Sequence, residues 1–439
     1  MKRKTNILHL LPHAGGGVGA VLRAVLAAES EKESPYRHVV ASLDYLNDVT
    51  QKHFNIHGIS WTDEVAVKRR DELSALLDQA DIVLAHWWNH PLIMRLLFEG
   101  LPATRLIIWS HVNGYYPPQA FFPELFELPE RFVFTSKVSM TVPAVQELSD
   151  DLKSRLRVIR SCAGIPSGSE SLCPKSDPFR AGYIGTVEPV KMHADFLSMC
   201  ANANMPTPVV VAGGPDHEDL RRQAQAMNLA GCFHILGPVK DASRIFRLLH
   251  AFAYPLSPRH YGTGEQVLIE AMAFGAVPVV LANPPEKALI RHGQTGLVAD
   301  NAADFSAKLR MLMENPAERE TLAAGGRRFV MEECGIEHSI KAFHALFEET
   351  LSLSKQPRKL KLQPADGVNS GSPLHLFLAS LGNAEERRGF EKALQRNDSS
   401  EFPIDFASKT RGTSFHYLAM LGDDPGLKHL CNAVGWNRD

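Results

Sequence analysis

Short runs of Val, Ile and Leu alternate with helix-like segments along most of this 439-residue chain. A first series contains the runs NILHLLP, RHVVASL, ADIVLAHWW, RLIIWSH and RFVFTS, and a second contains FRAGYIG, PVVVAGG, CFHILG, FAYPL and VPVVLAN. Apolar strands that alternate with helices are typical of parallel sheets covered by helices on both faces. Because one core rarely grows beyond about 300 residues, the sequence predicts an α/β fold with two doubly wound, Rossmann-like domains.

The two series and the segments after them give the predicted domain boundaries. The first domain covers residues 1–170, and the second covers 171–353 and ends with helix patterns at 303–314, 317–333 and 336–353. Residues 354–372 lack apolar periodicity and are predicted to be a solvated linker, although its basic cluster could instead touch an anionic membrane. Residues 373–439 are predicted to form a small helical appendage, and their pattern indicates no role for it.

Composition argues against several classes of protein. The net charge is −2 and the basic residues are mixed with acidic ones, so no nucleic-acid partner is expected. The six cysteines form no Cys-x-x-Cys pair or zinc-like spacing, which predicts a reduced, cytoplasmic protein. Histidines, Pro12 and glycines interrupt the first apolar run, and the longest apolar stretch, 271–282, is shorter than the roughly 18 residues of a membrane helix. Neither a signal peptide nor a membrane span is expected.

A glycine-rich loop follows the first predicted strand, at the edge where open α/β sheets bind ligands. Gly16 and Gly17 have no side chains, so the backbone there could approach a phosphate closely, although a tight turn explains the glycines equally well. The segment Gly15–Ala20 also fits G-x-G-x-x-A, and Asp44 follows the next strand. An enzyme that uses a nicotinamide or flavin dinucleotide therefore remains an alternative.

Histidines follow two later strands of the first half. His86 comes directly after DIVLA, and His111 follows RLIIWS. A histidine at a strand end can orient a sugar hydroxyl or transfer a proton, and a hydrogen-bonded structural role is the alternative. Zinc binding by His86 and His90 would need a third ligand that the spacing does not reveal.

The second half places charged groups at its strand ends. Lys191 lies a few residues after GYIG, near the predicted start of a helix, where an ammonium group suits a diphosphate. The turn from Tyr261 to Gly264 leads into another helix, whose first amides at Gly264, Glu265 and Gln266 could face a phosphate. Glu270 lies among apolar residues of that helix and needs hydrogen-bond donors if it is ionised. The two hydroxyls of a ribose would supply them, and a buried acid paired with Arg or Lys is the alternative.

The second half closely resembles the retaining family 4 glycosyltransferases of the GT-B fold, in which two Rossmann-like domains face a central cleft. The segments that carry the resemblance are GYIGTVEPVK, VVVAGGP, FHILGPV, YPLSPRHYGTGEQVLIEAMAFGAVPVV and PPEKALIRHGQTGLVAD. In the first half, LHLLPHAGGGVG and IIWSHVNG match the family's glycine loop and active-site histidine. The similarity covers roughly residues 1 to 350 and is looser in the first domain.

The resemblance implies a role for each matching residue. Glu270 would bind the ribose, Lys191 and the amides of Gly264 to Gln266 would stabilise the leaving diphosphate, and His111 would hydrogen-bond the transferred sugar. The remaining residues implied on the donor side are Gly16, Gly17, Gly237, Val239 and Thr263, with His86 expected on the acceptor side. The family usually has a glutamate where this chain has Gly262 and an arginine where it has Thr186. Glu265 and Arg259 are the possible substitutes.

The resemblance implies a function without a metal or organic cofactor. The chain would transfer a sugar, with retention, from a nucleoside-diphosphate sugar to a hydroxyl of a glycan, lipid-linked or other acceptor. Surface polysaccharide or glycoconjugate synthesis in the cytoplasm, with peripheral contact at the inner membrane face, is the setting implied. A sugar-nucleotide epimerase, a non-catalytic nucleotide-sugar-binding protein and an NAD-dependent oxidoreductase remain alternatives.

Overall fold

The structure is a computed structural model that describes residues 3–160, 162–166, 169, 175, 177–263, 266–382, 387–389, 392 and 412–434. Contacts within the chain divide it into two compact units. Unit 1 contains residues 1–161 and 339–439, and unit 2 contains residues 162–338. The second unit is therefore inserted into the first. The predicted boundary at residue 353 differs from this division, because residues 339–353 pack on unit 1.

Unit 1 is built on a seven-stranded parallel sheet in the order β3-β2-β1-β4-β6-β7-β8. Its strands are β1 (Thr5–Leu11), β2 (Tyr36–Ser42), β3 (Ser60–Thr62), β4 (Ile82–Trp87), β6 (Leu106–Ser110), β7 (Arg131–Phe134) and β8 (Leu156–Val158). A separate antiparallel pair joins β5 (Leu101–Thr104) to β15 (Gln356–Arg358).

The helices of unit 1 come from both ends of the chain. Those before the insertion are α1 (Gly16–Ser30), α2 (Asp48–Ile56), α3 (Arg70–Gln79), α4 (Pro91–Glu99), α5 (Pro123–Glu127), α6 (Pro143–Gln146) and α7 (Asp150–Ser154). Those after it are α15 (Ile336–Leu351), α16 (Pro373–Ala379), α17 (Ser414–Leu421) and α18 (Pro425–Val434). Helix α15 covers one face of the sheet, where the rings of Phe343 and Trp109 meet edge to face with centroids 4.6 Å apart.

Unit 2 contains a six-stranded parallel sheet in the order β11-β10-β9-β12-β13-β14. Its strands are β9 (Ala181–Ile184), β10 (Val209–Ala212), β11 (Phe233–Gly237), β12 (Ala251–Tyr254), β13 (Val277–Leu281) and β14 (Leu297–Ala299). Its helices are α8 (Phe196–Ala201), α9 (His217–Ala226), α10 (Ser243–Phe246), α11 (Gln266–Ala273), α12 (Pro284–Leu289), α13 (Ala302–Glu314) and α14 (Pro316–Glu333). The spatial order corresponds to the 3-2-1-4-5-6 arrangement of Rossmann folds.

The prediction of two doubly wound parallel sheets is confirmed in both units. In each sheet the first strand in chain order pairs with the fourth: β1 pairs with β4 in unit 1, and β9 pairs with β12 in unit 2. The order reverses at these two places, and ligands of open α/β sheets bind outside the carboxyl ends of such neighbouring strands. No helix in the described ranges is long and apolar enough to span a membrane.

The prediction of a solvated linker at residues 354–372 is wrong for its first half. Leu360 and Leu362 are buried, and β15 pairs with β5. The basic residues also contact unit 1: Lys355 donates to the carbonyl of Ala80 at 2.6 Å, and Arg358 pairs with the buried Glu130. Only Gln356–Arg358 of the segment form a strand, and the residues after it are irregular, so no apolar periodicity is expected there.

Candidate functional site

Glycines end three neighbouring strands of unit 2 and bring their loops into close contact. The N–H of Gly213, after β10, donates to the carbonyl of Gly237 at 2.8 Å. Gly213 has a φ of +142°, and a Cβ there would lie 1.7 Å from the carbonyl oxygen of Gly185. These contacts leave a floor of bare backbone at the carboxyl edge of the sheet. Of the predicted donor residues, Gly237 belongs to this floor and Val239 lies just beyond it, 37% exposed.

Lys191 is held where the order of the sheet reverses. Its side chain is only 7% exposed, and its ammonium lies 5.1 Å from the centroid of the Tyr261 ring. Its carbonyl accepts from the N–H of Ser257 at 2.8 Å, which joins the loop after β9 to the loop after β12. Lys191 lies in that loop, seven residues after the end of β9 and five residues before α8. Thr186, earlier in the same loop, accepts through its carbonyl from the hydroxyl of Tyr183 at 2.6 Å.

A buried histidine and a buried carboxylate support the loop after β12. His260 accepts the N–H of Gly262 through Nδ1 at 3.0 Å, and its Nε2 lies 3.1 Å from Oε2 of Glu286. His260 is 1% exposed and Glu286 is completely buried. A buried, hydrogen-bonded pair of this kind holds the backbone of the loop in one geometry. Sequence reasoning missed this pair, because Glu286 lies on α12, far from the loop in sequence.

The predicted donor residues of this loop have different environments. Gly262 and Thr263 are buried, whereas Arg259 is exposed. Gly264 and Glu265 lie outside the described residues. The hydrogen bond to His260 therefore fixes the backbone of the loop at Gly262, directly before Thr263.

Glu270 lies one turn after the start of α11 and is hydrogen-bonded by Gln266. Burial raises the pKa of the Glu270 carboxyl to about 7, and the Gln266 hydrogen bond opposes this shift. The Oε1 atom of Gln266 accepts the N–H of Ala163 at 3.0 Å, which fixes the orientation of the amide. Gln266, predicted to offer its backbone amide to a phosphate, thus also positions Glu270 through its side chain. The carboxylate needs further donors when it is ionised, as expected of a group that binds hydroxyls.

The first turn of α1 in unit 1 is open. Gly16 has a φ of +59°, and a Cβ on Gly16 or Gly17 would meet no atom within 4 Å. Both residues are exposed, and no side chain caps the helix. A helix N-terminus in this condition can receive an anion. Asp44, after β2, donates its N–H to the carbonyl of Pro12 at 2.9 Å and so lies beside the loop that leads into α1.

His111 lies directly after β6 and is half-buried. Its backbone N–H donates to the carbonyl of Trp87 at 2.8 Å, and its Nε2 lies 2.9 Å from Nδ1 of His86. Burial lowers the pKa of His111 to about 3, so this imidazole is neutral near pH 7. A neutral imidazole can accept a hydrogen bond or a proton.

The expectation that His86 contacts an acceptor is corrected by its position. His86 is completely buried, and its second nitrogen, Nε2, lies 3.1 Å from Nδ1 of His9. Both ring nitrogens are therefore engaged inside the sheet. His86 can influence a bound molecule only through His111.

The C-terminal helices dock on the loop after β4. Asn89 is 1% exposed, donates to the hydroxyl of Ser380 at 2.9 Å and accepts from the hydroxyl of Tyr417 at 2.7 Å. His90, next in the chain, packs edge to face against His416 with ring centroids 4.6 Å apart. The predicted appendage is thus part of unit 1 and shapes the carboxyl edge of its sheet. Within the described residues, no group of three or more His, Cys, Asp or Glu side chains could hold a metal ion.

Comparisons with known proteins agree with this fold. Residues 169–329 match the family model of the glycosyl transferases group 1. A comparison with the curated proteins finds no match. Among solved structures, that of HepE from Anabaena, crystallised with UDP and glucose, has a TM-score of 0.61 at 15% identity and covers 79% of this chain and all of its own.

Two further structures show the same similarity. A glycosyltransferase from Rickettsia africae has a TM-score of 0.61 at 12% identity and covers 79% of this chain and 99% of its own. WaaG, a glycosyltransferase involved in lipopolysaccharide biosynthesis, has a TM-score of 0.55 at 13% identity and covers 76% of this chain and 98% of its own. The chain therefore has the two-domain GT-B fold, and the part of it that matches the glycosyl transferases group 1 model, residues 169–329, lies within unit 2.

Proposed function

We propose that the protein is a retaining glycosyltransferase that uses a nucleoside-diphosphate sugar as donor. The observation that carries the proposal is the combination of Lys191 and Glu270 at the edge of unit 2, within the matched domain. A buried ammonium and a half-buried carboxylate near a glycine-lined edge suit the two polar ends of a nucleoside diphosphate.

Glu270 would accept the two hydroxyls of the ribose, and Lys191 would bind the diphosphate. The N-terminus of α11 would contribute amide groups and the favourable end of its dipole. Gly237 and Val239 would lie near the base. UDP is the first nucleotide to test, because HepE was crystallised with it.

The proposed reaction depends on stabilising the leaving group. The bond between the anomeric carbon and the diphosphate oxygen breaks, and the acceptor hydroxyl oxygen bonds to the same face of that carbon. The proton of the hydroxyl passes to an oxygen of the leaving phosphate. Lys191 would stabilise the charge that develops there, which is the largest single contribution in many enzymes. His111 would hydrogen-bond the transferred sugar, and Gly16 and Gly17 would approach the sugar or phosphates. No resident metal or cofactor is part of this proposal.

The acceptor is proposed to be a hydroxyl of a growing glycan or glycolipid. This class is supported by the lipopolysaccharide role stated for WaaG, which shares the fold. A cytoplasmic location, with contact at the inner face of the membrane, belongs to the same proposal.

The test is calorimetric titration with UDP, GDP, ADP and NAD, followed by an assay for transfer from the matching nucleotide sugar. Lys191→Ala and Glu270→Ala should both weaken binding of one nucleoside diphosphate. Lys287→Ala, which changes an exposed lysine of the same unit, should leave it unchanged. Binding of NAD alone, unaffected by either substitution, would refute the proposal.

A further inference from the structure

Four histidines of unit 1 form a continuous chain of ring contacts that begins at His111. His111 Nε2 lies 2.9 Å from His86 Nδ1, and His86 Nε2 lies 3.1 Å from His9 Nδ1. His9 Nε2 in turn lies 2.9 Å from His38 Nδ1. Each contact joins Nε2 of one ring to Nδ1 of the next, so the chain has a direction.

The register of the sheet produces this chain. His38 lies opposite Ile7, two residues before His9, in the pairing of β2 with β1. His9 lies opposite Leu84, two residues before His86, and His86 lies opposite Trp109, two residues before His111. A step of two residues keeps a side chain on the same face of a sheet. The histidines therefore cross four adjacent strands diagonally, from the middle of β2 to the carboxyl end of β6.

The chain ends at a carboxylate beside solvent. His38 Nε2 lies 3.7 Å from Oε2 of Glu29, a separation that a bridging water or a small side-chain rotation closes. Glu29 is 5% exposed and also lies 2.7 Å from Nε2 of His344. A surface pocket of about 150 Å³ is lined by Glu29 and His38. It has room for several waters, each of which needs roughly 10–15 Å³.

The charged and titratable groups around Glu29 come from several elements. They are His38 and Tyr36 on β2, His344 and Glu348 on α15, and Lys4, Lys32, Arg37 and His57 at the pocket. Hydrogen bonds and nearby imidazoles lower the pKa of Glu29 to about 2 against the opposing effect of burial. The carboxylate is therefore ionised near pH 7 and acts only as an acceptor.

An ionised Glu29 determines the tautomer of every ring in the chain. A neutral imidazole has one N–H and one acceptor nitrogen. A proton on Nε2 of His38 directs a donor toward the carboxylate 3.7 Å away, whereas the other tautomer would direct an acceptor toward it. His38 Nδ1 then accepts from His9, His9 Nδ1 from His86, and His86 Nδ1 from His111. All four rings carry the proton on Nε2, and Nδ1 of His111 is left as the acceptor.

We propose that His86, His9 and His38 form a proton relay between His111 and the pocket at Glu29. The inference rests on the proposed function, in which His111 contacts the reacting centre. His111 would be the catalytic residue, and the other three would carry its proton. Burying His9 and His86 between two half-buried histidines on one sheet face is costly unless the rings are connected, and an apolar face would pack as well. A connected chain with a single polarity is what proton transfer requires.

The relay moves one proton without transferring electrons. The leaving phosphate gives the acceptor's proton to His111 Nδ1, and His111 passes its Nε2 proton to His86 Nδ1. His86 and His9 repeat the step, and His38 gives its Nε2 proton to Glu29, which releases it to water. Each ring ends neutral with its proton on Nδ1. After the products leave, a proton taken up from water at Glu29 passes back along the chain and His111 Nδ1 gives its proton to water in the emptied site, which restores the starting tautomers.

Protonated His111 would be a short-lived state. Its pKa of about 3 lies roughly three units below the second pKa of a phosphate group, about 6. The proton would therefore reside on His111 about a thousand times less often than on the phosphate. Burial also lowers the pKa of His9 and His86, so these two rings are neutral near pH 7.

The first experiment is ¹⁵N NMR of the histidine rings in the unliganded protein at pH 7, which needs no enzymatic activity. We expect the Nε2–H tautomer in all four rings and exchange of the buried His9 ring proton with water. Glu29→Gln should mix the tautomers and slow this exchange at least about tenfold. His53→Leu removes a histidine of unit 1 that is not one of the four connected rings, and it should change neither the tautomers nor the exchange rate. Mixed tautomers in the wild type, or exchange unaffected by Glu29→Gln, would overturn the relay.

The second experiment compares His9→Gln and Glu29→Gln with the wild type in the transfer assay. Glutamine can donate and accept hydrogen bonds as His9 does, but it cannot transfer a proton. We expect kcat to fall about a hundredfold, the lower end of general acid–base contributions, with KM and nucleotide binding unchanged. Wild-type kcat in His9→Gln would show a structural role and overturn the relay. A wild type that binds no nucleotide would refute the proposed function, while the NMR result still decides the relay.

Discussion

Replacing Glu270 with Gln should raise the stability of unit 2 and weaken nucleotide binding. The carboxyl pKa is about 7 in the folded chain, against 4.5 for an unperturbed group. A raised carboxyl pKa means that the unfolded state loses its proton first, so stability falls as the pH rises from 4.5 through 7. At pH 8 the buried charge costs about 3 kcal/mol, and at pH 5 less than about 1 kcal/mol. Glu270→Gln removes this cost.

The same substitution should remove two charge-assisted hydrogen bonds to the ribose. At roughly 1.5–3 kcal/mol each, their loss corresponds to an increase in the dissociation constant of about two to four orders of magnitude. Only the ionised carboxylate binds in this way, so the affinity of the wild type for the nucleotide should be about tenfold weaker at pH 6 than at pH 8. The affinity of Glu270→Gln should lack this tenfold change, so any pH dependence that the variant retains is subtracted from that of the wild type. The 2′-deoxynucleotide should bind the wild type more weakly than the ribonucleotide does, because it lacks one of the two hydroxyls. The Glu270→Gln variant should bind the two nucleotides equally well.

Thermal unfolding at pH 5 and pH 8, with and without nucleotide, tests both effects. For a unit of this size, 3 kcal/mol corresponds to a rise in Tm of about 6–12 °C at pH 8. Glu320→Gln, an exposed glutamate of the same unit, should change neither Tm nor affinity. A variant that is less stable than the wild type at pH 8, or that binds the nucleotide equally well, would refute the reasoning.

Three further predictions follow from the structure. Lys191→Met should raise the dissociation constant of a nucleoside diphosphate at least about tenfold, because a charge-assisted contact to the diphosphate is lost. It should also lower kcat, because the same contact stabilises the leaving group. A kcat equal to that of the wild type would contradict the assigned role. Unit 1 should lose stability as the pH falls below 6.5, because His9, His86 and His111 have lowered pKa values and the unfolded chain binds protons first. For His111, with a pKa of about 3 in the folded chain, the loss should reach about 2 kcal/mol at pH 5, and an unchanged urea midpoint between pH 7 and pH 5 would contradict it. Asn89→Leu should cost about 2–4 kcal/mol, because it leaves buried polar partners unpaired, and should expose the C-terminal helices to limited proteolysis.

Local patterns predicted the helices after the second sheet well. The predicted segments 303–314, 317–333 and 336–353 differ by at most two residues at either end from α13, α14 and α15. Asn301 caps α13 through its side chain, and Pro316 occupies the first position of α14. Residues that start a helix are adjacent to it in the sequence, so the sequence alone is enough to locate the beginning of such a helix.

The histidine chain depends on information that no local pattern contains. His9, His38, His86 and His111 each stand in an ordinary strand-like run, and their contact requires both the strand order and the register. The strand order itself was not predicted, because the alternation of strands and helices is compatible with several orders. Likewise, the pairing of His260 with Glu286 depends on where α12 packs. Residues that meet through topology are the part of the site that sequence reasoning missed.

The insertion of unit 2 into unit 1 has a consequence for synthesis on the ribosome. Domains commonly fold in the order in which they are translated. Here residues 162–338 form a contiguous unit, which can fold as soon as it has emerged. The sheet that begins at residue 5 still lacks α15, which covers one of its faces, and the helices that Asn89 anchors. Residues 1–161 must therefore remain an incomplete unit, with apolar surface exposed to chaperones, until the last hundred residues or so have been made.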